Sequence, residues 1–279
     1  MLKIENLSFG YRKNKNIYEN LSLELNSGKI YGMLGVNGSG KTTLLNIIST
    51  LLVNYKGTVA LDDFESKKRN RKYLKEIFHL PEIIEKDNFK VKELIEMGKN
   101  YENWNEDKFL NFLKDEDVNI NKKLKFFSKG WRKKIWFYYA ISINPKVLIL
   151  DEVSEGIDII SQNKIIKNIL EYSNENKIVL IASHHIKEFE EMIDEIIIID
   201  NGKILYKGEK GYIKENYGWI ESTYSNEIDK ENIVLEKDLL GEKFIVVKNI
   251  KKYSNVKHKN IDIATFFEVV IKLKGEIQL

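Results

Sequence analysis

Cysteine is absent from the 279-residue chain, and only two prolines are present. The absence of cysteine excludes a disulfide framework, a thiolate metal cluster and a cysteine nucleophile. The apolar runs, such as 135–141, are far shorter than the roughly 20 residues that a membrane-spanning helix needs, so we expect no span. The first residues lack a basic patch followed by an apolar stretch, so we do not expect secretion.

A large surplus of one charge is also missing. The 45 Lys and Arg residues against 42 Asp and Glu give a formal net charge of +3. This surplus is too small to indicate a nucleic-acid footprint, and no nucleic-acid partner is expected. With 43% hydrophobic and 31% charged residues, the composition is typical of a globular protein rather than a disordered one. The length suits one large domain with an appendage, or two small domains.

The order of apolar patterns near the start predicts a strand, a glycine loop and a helix. Apolar residues alternate over Leu21–Leu25, and a compact apolar run covers Ile30–Leu34, so both are predicted strands of an α/β sheet. Glycines follow directly. From Leu44 to Leu52 the apolar residues recur at the spacing of a helix with one buried face.

The middle and later parts predict helices followed by buried strands. Residues 81–143 show helical periodicity, which predicts a helical subdomain over about 83–143. The apolar runs Val147–Leu150, Ile178–Ala182 and Ile196–Ile199 are typical of parallel strands buried on both faces. Asn201-Gly202 then predicts a hairpin that closes the core.

The pattern changes beyond Gly208, where a strand is expected at Phe244–Val247. A last amphipathic helix is predicted before Gly275, and its apolar face consists of Phe266, Val269, Val270 and Leu273. We therefore expect a main domain over residues 1–210 and a small C-terminal α+β appendage over residues 211–279.

The segment Gly35–Thr42 matches the phosphate-loop pattern G-x-x-x-x-G-K-[ST]. Glycines permit unusual backbone dihedrals and let N–H groups surround phosphate oxygens, while the next helix presents its positive end to the anion. Lys41 is predicted to reach the β and γ phosphates, Thr42 to bind Mg²⁺ and Thr43 to bond the α phosphate. The remaining candidate nucleotide contacts of the loop are Asn37, Gly38, Ser39 and Gly40. The alternative is a glycine-rich turn with a solvated lysine.

Polar residues at the ends of two predicted strands complete a candidate catalytic set. Asp151 follows Val147–Leu150 and is the predicted Mg²⁺ ligand, while Glu152 is the predicted base for the attacking water. His184 follows the next strand and is predicted to hold the γ phosphate and the water in line. The alternatives are two solvated acids and an ordinary polar histidine. The predicted fold class is α/β, a P-loop NTPase core with a mixed sheet.

Taken together, these motifs resemble the nucleotide-binding subunit of ATP-binding-cassette (ABC) transporters over roughly residues 1–210. Tyr11 is similar to the aromatic residue that stacks on adenine in this family, although a lone tyrosine is also a common core residue. Glu82 stands where the family usually has a glutamine that contacts Mg²⁺ and senses the membrane partner. A carboxylate can ligate Mg²⁺ but adds negative charge near the phosphates.

The family signature LSGGQ appears here as Phe127–Trp131, in which only Ser128 and Gly130 match. The resemblance implies that these two residues bind the γ phosphate of ATP held by a second subunit, whereas an ordinary helix cap is the alternative for Ser128. Residues 154–158 resemble the loop that crosses between subunits, with Asp158 in contact. The final helix resembles the extension of subunits that energise export of drugs, peptides or polysaccharides.

The resemblance implies an ATPase that uses ATP and Mg²⁺ and closes as a head-to-tail dimer with a second copy or a paralogue. It further implies a separate transmembrane permease, a location at the cytoplasmic side of the cell membrane, and export of a peptide, drug or similar amphipathic substrate. One alternative is a soluble ABC ATPase acting on ribosomes or nucleic acid. Another is a P-loop GTPase or small-molecule kinase, although no Asn-Lys-x-Asp guanine motif occurs.

Overall fold

The computed structural model describes residues 1–12, 15–84, 88–174, 176–183, 186–239 and 242–274. The first part of the chain forms β1 (Leu2–Phe9), β2 (Tyr18–Leu25), β3 (Lys29–Leu34), α1 (Lys41–Ile48), β4 (Lys56–Leu61), β5 (Phe64–Glu65), α2 (Arg71–Glu76) and β6 (Ile77–Leu80). The middle forms α3 (Val91–Gly98), α4 (Glu106–Asp115), α5 (Lys129–Ile143), β7 (Val147–Asp151), α6 (Ile159–Tyr172), β8 (Ile178–Ala182), β9 (Glu195–Asp200) and β10 (Lys203–Glu209). The last part forms α7 (Lys210–Asn216), β11 (Tyr217–Glu221), β12 (Ile233–Leu239), β13 (Glu242–Lys248), β14 (His258–Asn260) and α8 (Ile263–Lys272).

The central sheet has the strand order β10-β9-β3-β8-β7-β6. Five of its strands are parallel, and β10 pairs antiparallel with β9 across the Asn201-Gly202 hairpin, so the sheet is mixed as predicted. Side chains along β7 and β8 alternate between two apolar cores, one on each face of the sheet. Burial on both faces explains why these strands are continuous apolar runs.

The strand β2 differs from the sequence-based expectation. Leu21–Leu25 is extended, but it lies in a separate antiparallel sheet with the order β2-β1-β4-β5 rather than in the central sheet. Along β2 the leucines are buried and the intervening polar residues are exposed. This alternation is typical of a sheet with one face in solvent.

The helix after the glycine loop is shorter than predicted. α1 ends at Ile48, and Leu51 is 67% exposed rather than part of a buried helical face. Thr50 has a positive φ of 65°, a conformation outside the right-handed helical region. The predicted helix over Leu44–Leu52 was therefore wrong in its last turn.

The stretch predicted to be helical contains α3, α4 and α5, and aromatic side chains pack α4 against α5. Phe112 of α4 stacks on Tyr138 of α5 with ring centroids 3.8 Å apart, and Phe109 meets Tyr139 edge to face at 5.8 Å. α5 also meets the end of β7, because Lys133 Nζ donates a hydrogen bond to the Glu152 carbonyl. No helix among the described residues is long and apolar enough to cross a bilayer.

The C-terminal part contains an antiparallel sheet with the order β12-β13-β11-β14, and α8. The predicted strand Phe244–Val247 lies within β13, and the predicted amphipathic helix is α8, whereas Gly275 lies outside the described residues. Phe266 of α8 packs edge to face on Tyr206 and Tyr217, with centroid distances of 4.8 and 5.1 Å. The core of the central sheet thus continues across residue 210, and the division there stays a prediction.

Candidate functional site

A cleft of about 500 Å³ opens at the carboxyl ends of β3 and β7. Its lining consists of Tyr11, Ile17, Asn37, Gly38, Gly40, Lys41, Thr42, Thr43, Glu82, Asp151 and Glu152. Ligands of open α/β sheets bind at this edge, where loops and helix N-termini converge. The cleft therefore gathers most of the residues that the sequence singled out, from four separate parts of the chain.

The loop before α1 is shaped by its glycines and held by Tyr18 of β2. Gly38 and Gly40 have φ angles of 81° and 112°, which side chains disfavour. The Tyr18 hydroxyl donates a hydrogen bond to the Gly40 carbonyl, and a Cβ on Gly40 would lie 2.6 Å from that hydroxyl. At Gly38 nothing lies within 4 Å of an added Cβ, so the loop backbone is open to a ligand there.

Ser39 is placed differently from the other loop residues. Its side chain is buried beside Gly35, and it is not among the residues that line the cleft. Its hydroxyl has no hydrogen-bond partner among the described residues. A buried hydroxyl without a hydrogen-bond partner costs stability, and its position behind the loop keeps it out of the cleft. The predicted contact of Ser39 with nucleotide stays a prediction.

Lys41 reaches back over the loop instead of pointing to solvent. Its Nζ donates to the carbonyl oxygens of Gly35 at 2.6 Å and Val36 at 3.3 Å, and its side chain is buried. Burial lowers the pKa of Lys41, while the carboxylates of Glu152 and Asp151 oppose that shift. The Lys41 amine is therefore held inside the loop. At a buried position its attraction for an anionic ligand is stronger than in water.

Thr42 and Asp151 join the loop to the end of β7. The Thr42 hydroxyl donates to Asp151 Oδ2 at 3.2 Å. Burial raises the pKa of Asp151 to about 6, against the opposing effect of the Thr42 hydrogen bond. This acid is a suitable metal ligand because a nearby cation would favour its charged form.

The oxygen donors fit Mg²⁺, which is commonly bound by one or two carboxylates together with phosphate oxygens and waters. Thr42, Asp151 and Glu82 all line the cleft and carry side-chain oxygen atoms. Within the described parts of the chain, no group of three His, Cys, Asp or Glu residues can hold a metal by itself. Phosphate oxygens and waters would therefore supply the remaining ligands.

Replacing Asp151 by asparagine is expected to stabilise the nucleotide-free protein in a pH-dependent manner. The pKa of Asp151 is about 6 in the folded chain against 3.8 as its ordinary value. Ionising it therefore costs stability as the pH rises from about 4 through 6, by up to about 3 kcal/mol. Urea unfolding should show Asp151→Asn more stable than wild type at pH 8 and nearly equal at pH 4.

The matched control for that measurement is Asp158→Asn. The Asp158 carboxylate is solvent-exposed and caps α6 by accepting the Ser161 N–H at 2.9 Å. This hydrogen bond holds the pKa of Asp158 below its ordinary value, so its pH effect has the opposite sign. If Asp151→Asn gains no stability at pH 8, the conclusion that the ionised Asp151 carboxylate destabilises the folded chain is wrong.

Glu152, directly after the predicted Mg²⁺ ligand Asp151, has an unusual backbone conformation. Its φ is +48°, its N–H donates to the Ala182 carbonyl at 2.8 Å, and its Oε2 accepts the Ser183 hydroxyl at 2.9 Å. A positive φ in a residue with a side chain is uncommon and often marks a functional position. The buried carboxylate lines the cleft on the side of β8.

Tyr11 and Glu82 lie at the rim of the same cleft. The Tyr11 ring is 62% exposed, packs edge to face on Phe9, and shares a hydrogen bond with Thr43 Oγ1 at 3.3 Å. The exposed ring is not a core residue, and one face is available for a base to stack on it. Glu82 follows β6 and contributes negative charge close to Lys41 and Asp151.

Ser128 and Gly130 do not line this cleft within the chain. Ser128 caps α5 by accepting the Trp131 N–H at 3.2 Å, which is the structural role left open above. A Cβ on Gly130 would overlap the Gly156 carbonyl oxygen, so the signature segment packs directly on the 154–158 loop. Their predicted contact with a second subunit's ATP stays a prediction. His184 lies outside the described residues.

Sequence reasoning missed three residues that support the site. Tyr18 holds the glycine loop, Ser183 donates to Glu152, and Lys133 donates through its Nζ to the Glu152 carbonyl. Ser183 directly precedes His184, and Lys133 follows the signature, so both were close to recognised motifs. Nothing in the local pattern of β2 distinguishes Tyr18 from an ordinary core tyrosine.

Comparisons with known proteins agree with this geometry. Residues 18–155 match the family profile described as ABC transporter. The lantibiotic transport ATP-binding protein SrtF of Streptococcus pyogenes is 31% identical over 235 residues, which cover 82% of this chain and 97% of that protein.

Solved structures share the fold. A putative cobalt transport ATP-binding protein superposes with a TM-score of 0.67 at 24% identity and covers 89% of this chain and 92% of its own. An ATP-binding cassette solved as a dimer, in a post-hydrolysis state with ADP and phosphate, gives a TM-score of 0.64 at 19% identity and covers 75% of this chain and 98% of its own. The α/β fold with a P-loop NTPase core is thereby confirmed.

Proposed function

The chain belongs to the ABC transporter family of ATP-binding proteins and is an ATPase, and from this premise we propose that it powers a separate transmembrane permease. The observation that carries the proposal is the cleft in which Lys41, the Thr42–Asp151 pair and Glu152 converge. A subunit that drives a permease needs these groups to bind ATP and to hydrolyse it at the γ phosphate.

The residues of the cleft have distinct roles in the proposed hydrolysis. Tyr11 stacks on the base, and Lys41 exchanges its loop carbonyls for the β and γ phosphates. Mg²⁺, held by Thr42 and Asp151 with Glu82 nearby, would neutralise phosphate charge when bound. Glu152 accepts a proton from the water whose oxygen attacks the γ phosphorus, and the bond to the β-phosphate oxygen breaks to release ADP.

A second cassette completes the site in this proposal. Within one chain the signature residues Ser128 and Gly130 are not part of the phosphate cleft. The α5 N-terminus carries the positive end of the helix dipole, which suits a phosphate on another molecule. A structurally similar ATP-binding cassette was solved as a dimer with ADP and phosphate. Two copies of this chain, or one copy and a paralogue, would bind two Mg-ATP between them.

In the proposed dimer, two exposed isoleucines lie at the closing face. Ile159 and Ile160 directly follow Asp158 and are 74% and 73% exposed. The 154–158 loop packs on the signature segment. In the proposed dimer these side chains would therefore face the same subunit as Ser128. Replacing both by serine should raise the ATP-dependent dimer dissociation constant about tenfold or more per isoleucine buried.

Sedimentation velocity over a series of concentrations, in a hydrolysis-deficient background with Mg-ATP, measures this constant. Leu170→Ser is the matched control because Leu170 is 52% exposed near the other end of α6. Equal dissociation constants for the isoleucine variant and the control would rule out this face.

A groove beside Glu82 supports docking of a permease segment. It encloses about 340 Å³ and is lined by Phe78, His79, Leu80, Pro81, Ile83, Ile84 and Trp136. Ile83 is 73% exposed, and the buried His79 Nε2 and Trp136 Nε1 have no hydrogen-bond partner among the residues described. An apolar groove with two unpaired polar atoms fits a partner segment that brings apolar side chains and hydrogen-bonding groups.

The proposed cargo class is a peptide, drug or similar amphipathic molecule that is exported. The support is the relative named for lantibiotic transport, which covers most of this chain. In this proposal the chain lies at the cytoplasmic side of the cell membrane and is held there by the permease through the groove.

Reconstitution tests the proposal. Co-expression with a permease, to be sought among the membrane proteins of adjacent reading frames, should yield a detergent-stable complex whose ATPase activity in liposomes exceeds that of the isolated chain. The other outcome is that RNA or DNA raises the ATPase activity in a salt-dependent manner and the membrane protein leaves it unchanged. That result would favour a soluble ATPase acting on ribosomes or nucleic acid.

A further inference from the structure

Lys133 is a fully buried lysine one turn into α5, two residues after the signature segment. Its side chain has no solvent exposure. Burial lowers the pKa of Lys133, and the nearby cation of Lys129 lowers it further. Burying a charged amine is costly, so a neutral side chain would fill this position at lower cost.

The side chain of Lys133 contacts the loop that follows β7. Its Nζ donates to the backbone carbonyl of Glu152 and lies 3.7 Å from Glu155 Oε2. The Glu155 N–H donates to the same Glu152 carbonyl at 3.2 Å. The carbonyl of a residue with a positive φ is thus held from two sides. Lys133 stabilises the conformation that points the Glu152 side chain into the cleft.

The neighbouring basic residues have other partners. Lys134 pairs with Glu116 at 2.6 Å and stacks over the Trp131 ring at 4.2 Å. Arg132 Nη1 donates to the Phe127 carbonyl at 2.8 Å. Among the described residues, these hydrogen bonds of Arg132 and Lys134 go elsewhere, whereas that of Lys133 goes to the loop after β7.

The signature segment and this loop are also joined nearer the helix end. Lys129 donates to Glu155 Oε2 at 2.7 Å, and Gly130 packs on the Gly156 carbonyl. A movement of the α5 N-terminus would therefore be passed to the Glu152 backbone through contacts within one turn of helix. Packed elements of this kind transmit small shifts because they are not continuously deformable.

We propose that Lys133 is a positioning residue that couples the two ATP sites of the dimer. When the α5 N-terminus of one subunit binds the γ phosphate held by its partner, Lys133 fixes the Glu152 of its own subunit for proton transfer. Each site is then set for hydrolysis by occupancy of the other. This inference rests on the proposed function, namely the dimer and the role of Glu152 as base.

The first test compares Lys133→Met, which removes the donor, with Lys133→Gln, which keeps an N–H donor, and with Lys134→Met. Lys133→Met should lower kcat about 10- to 100-fold while nucleotide Kd stays within about twofold of wild type. Its Hill coefficient for ATP should fall towards one. Lys133→Gln should recover part of the kcat, and Lys134→Met should retain both parameters.

Two results would overturn the inference. If Lys133→Met has the wild-type kcat and Hill coefficient, Lys133 is not needed to position Glu152. A Lys133→Met protein that unfolds or no longer binds nucleotide would assign Lys133 to holding the fold, which urea unfolding and binding of a fluorescent ATP analogue reveal.

A double-mutant cycle with Ser128→Ala tests the coupling itself. If Lys133 transmits the signature contact, the double variant should have a kcat close to that of the weaker single variant. Independent roles would instead multiply the two losses, and that outcome contradicts the proposal. Wild-type protein without ATPase activity, or Glu152→Gln with unchanged turnover, would refute the proposed function. If the wild type hydrolyses ATP and Glu152→Gln does not, a Lys133 variant with unchanged kcat and Hill coefficient refutes only the coupling.

Discussion

Glu152→Gln is expected to lower kcat about 10²- to 10⁴-fold while leaving ATP binding intact. The variant keeps the shape of the side chain and an oxygen for the Ser183 hydroxyl, which bonds Glu152 Oε2 at 2.9 Å. It removes the group that takes the proton from the attacking water. Binding depends on the glycine loop and Lys41, which the variant keeps, and the lost Glu152 charge leaves less negative charge near the phosphates.

The consequence of blocked hydrolysis is an accumulated dimer. ATP closes two cassettes in the proposed cycle, and cleavage reopens them, so Glu152→Gln should elute as a dimer with Mg-ATP and as a monomer with Mg-ADP. Size-exclusion chromatography and phosphate release measure both effects. Glu171→Gln is the control, because Glu171 is 58% exposed on α6 and faces Lys167 at 3.8 Å, outside the cleft lining. A variant that stays monomeric with unchanged turnover would remove Glu152 from the mechanism.

Lys41→Met is expected to fail at the earlier step of nucleotide binding. A charge-assisted hydrogen bond contributes about 1.5 to 3 kcal/mol, so the Kd for Mg-ATP should rise about 10- to 100-fold. The kcat should also fall about 10²- to 10³-fold because charge stabilisation at the γ phosphate is lost. In addition, the Gly35 and Val36 carbonyls lose the donor that they share.

Equilibrium titration with a fluorescent ATP analogue measures the change in Kd. Lys99→Met is the control, since Lys99 is exposed and pairs with Glu96 at 2.8 Å on the helical part of the chain. A Lys41→Met protein with wild-type affinity would exclude Lys41 from phosphate binding. The two variants also separate two functions, because Glu152→Gln should trap nucleotide whereas Lys41→Met should not retain it.

Local patterns predicted much of the fold. The runs in β7, β8 and β9 could be recognised because both faces of the central sheet are covered, so every position is apolar. Asn201-Gly202 predicted the hairpin between β9 and β10 because few residue pairs adopt its backbone conformation readily. The glycine loop could be found for the same reason, since its dihedrals require particular residues.

Other features depend on contacts between distant segments. The extended conformation of β2 is visible in its alternation, but its separate sheet is set by pairing with β1, which no local pattern encodes. The early end of α1 at Ile48 arises where Thr50 leaves the helical conformation. The cleft joins residues more than 100 positions apart, such as Thr42 and Asp151.

The sequence by itself determined the nature of the chemistry, because a phosphate loop, a strand-end acid pair and a signature segment are each built from short runs whose residue types the chemistry requires. Only the tertiary structure decided how these parts support one another: Lys41 turned onto its own loop, Ser39 buried behind it, and Lys133 holding the Glu152 carbonyl from another helix. The physical reason is that burial and hydrogen bonding are properties of neighbours in space. Those neighbours come together only when the strands and helices pack.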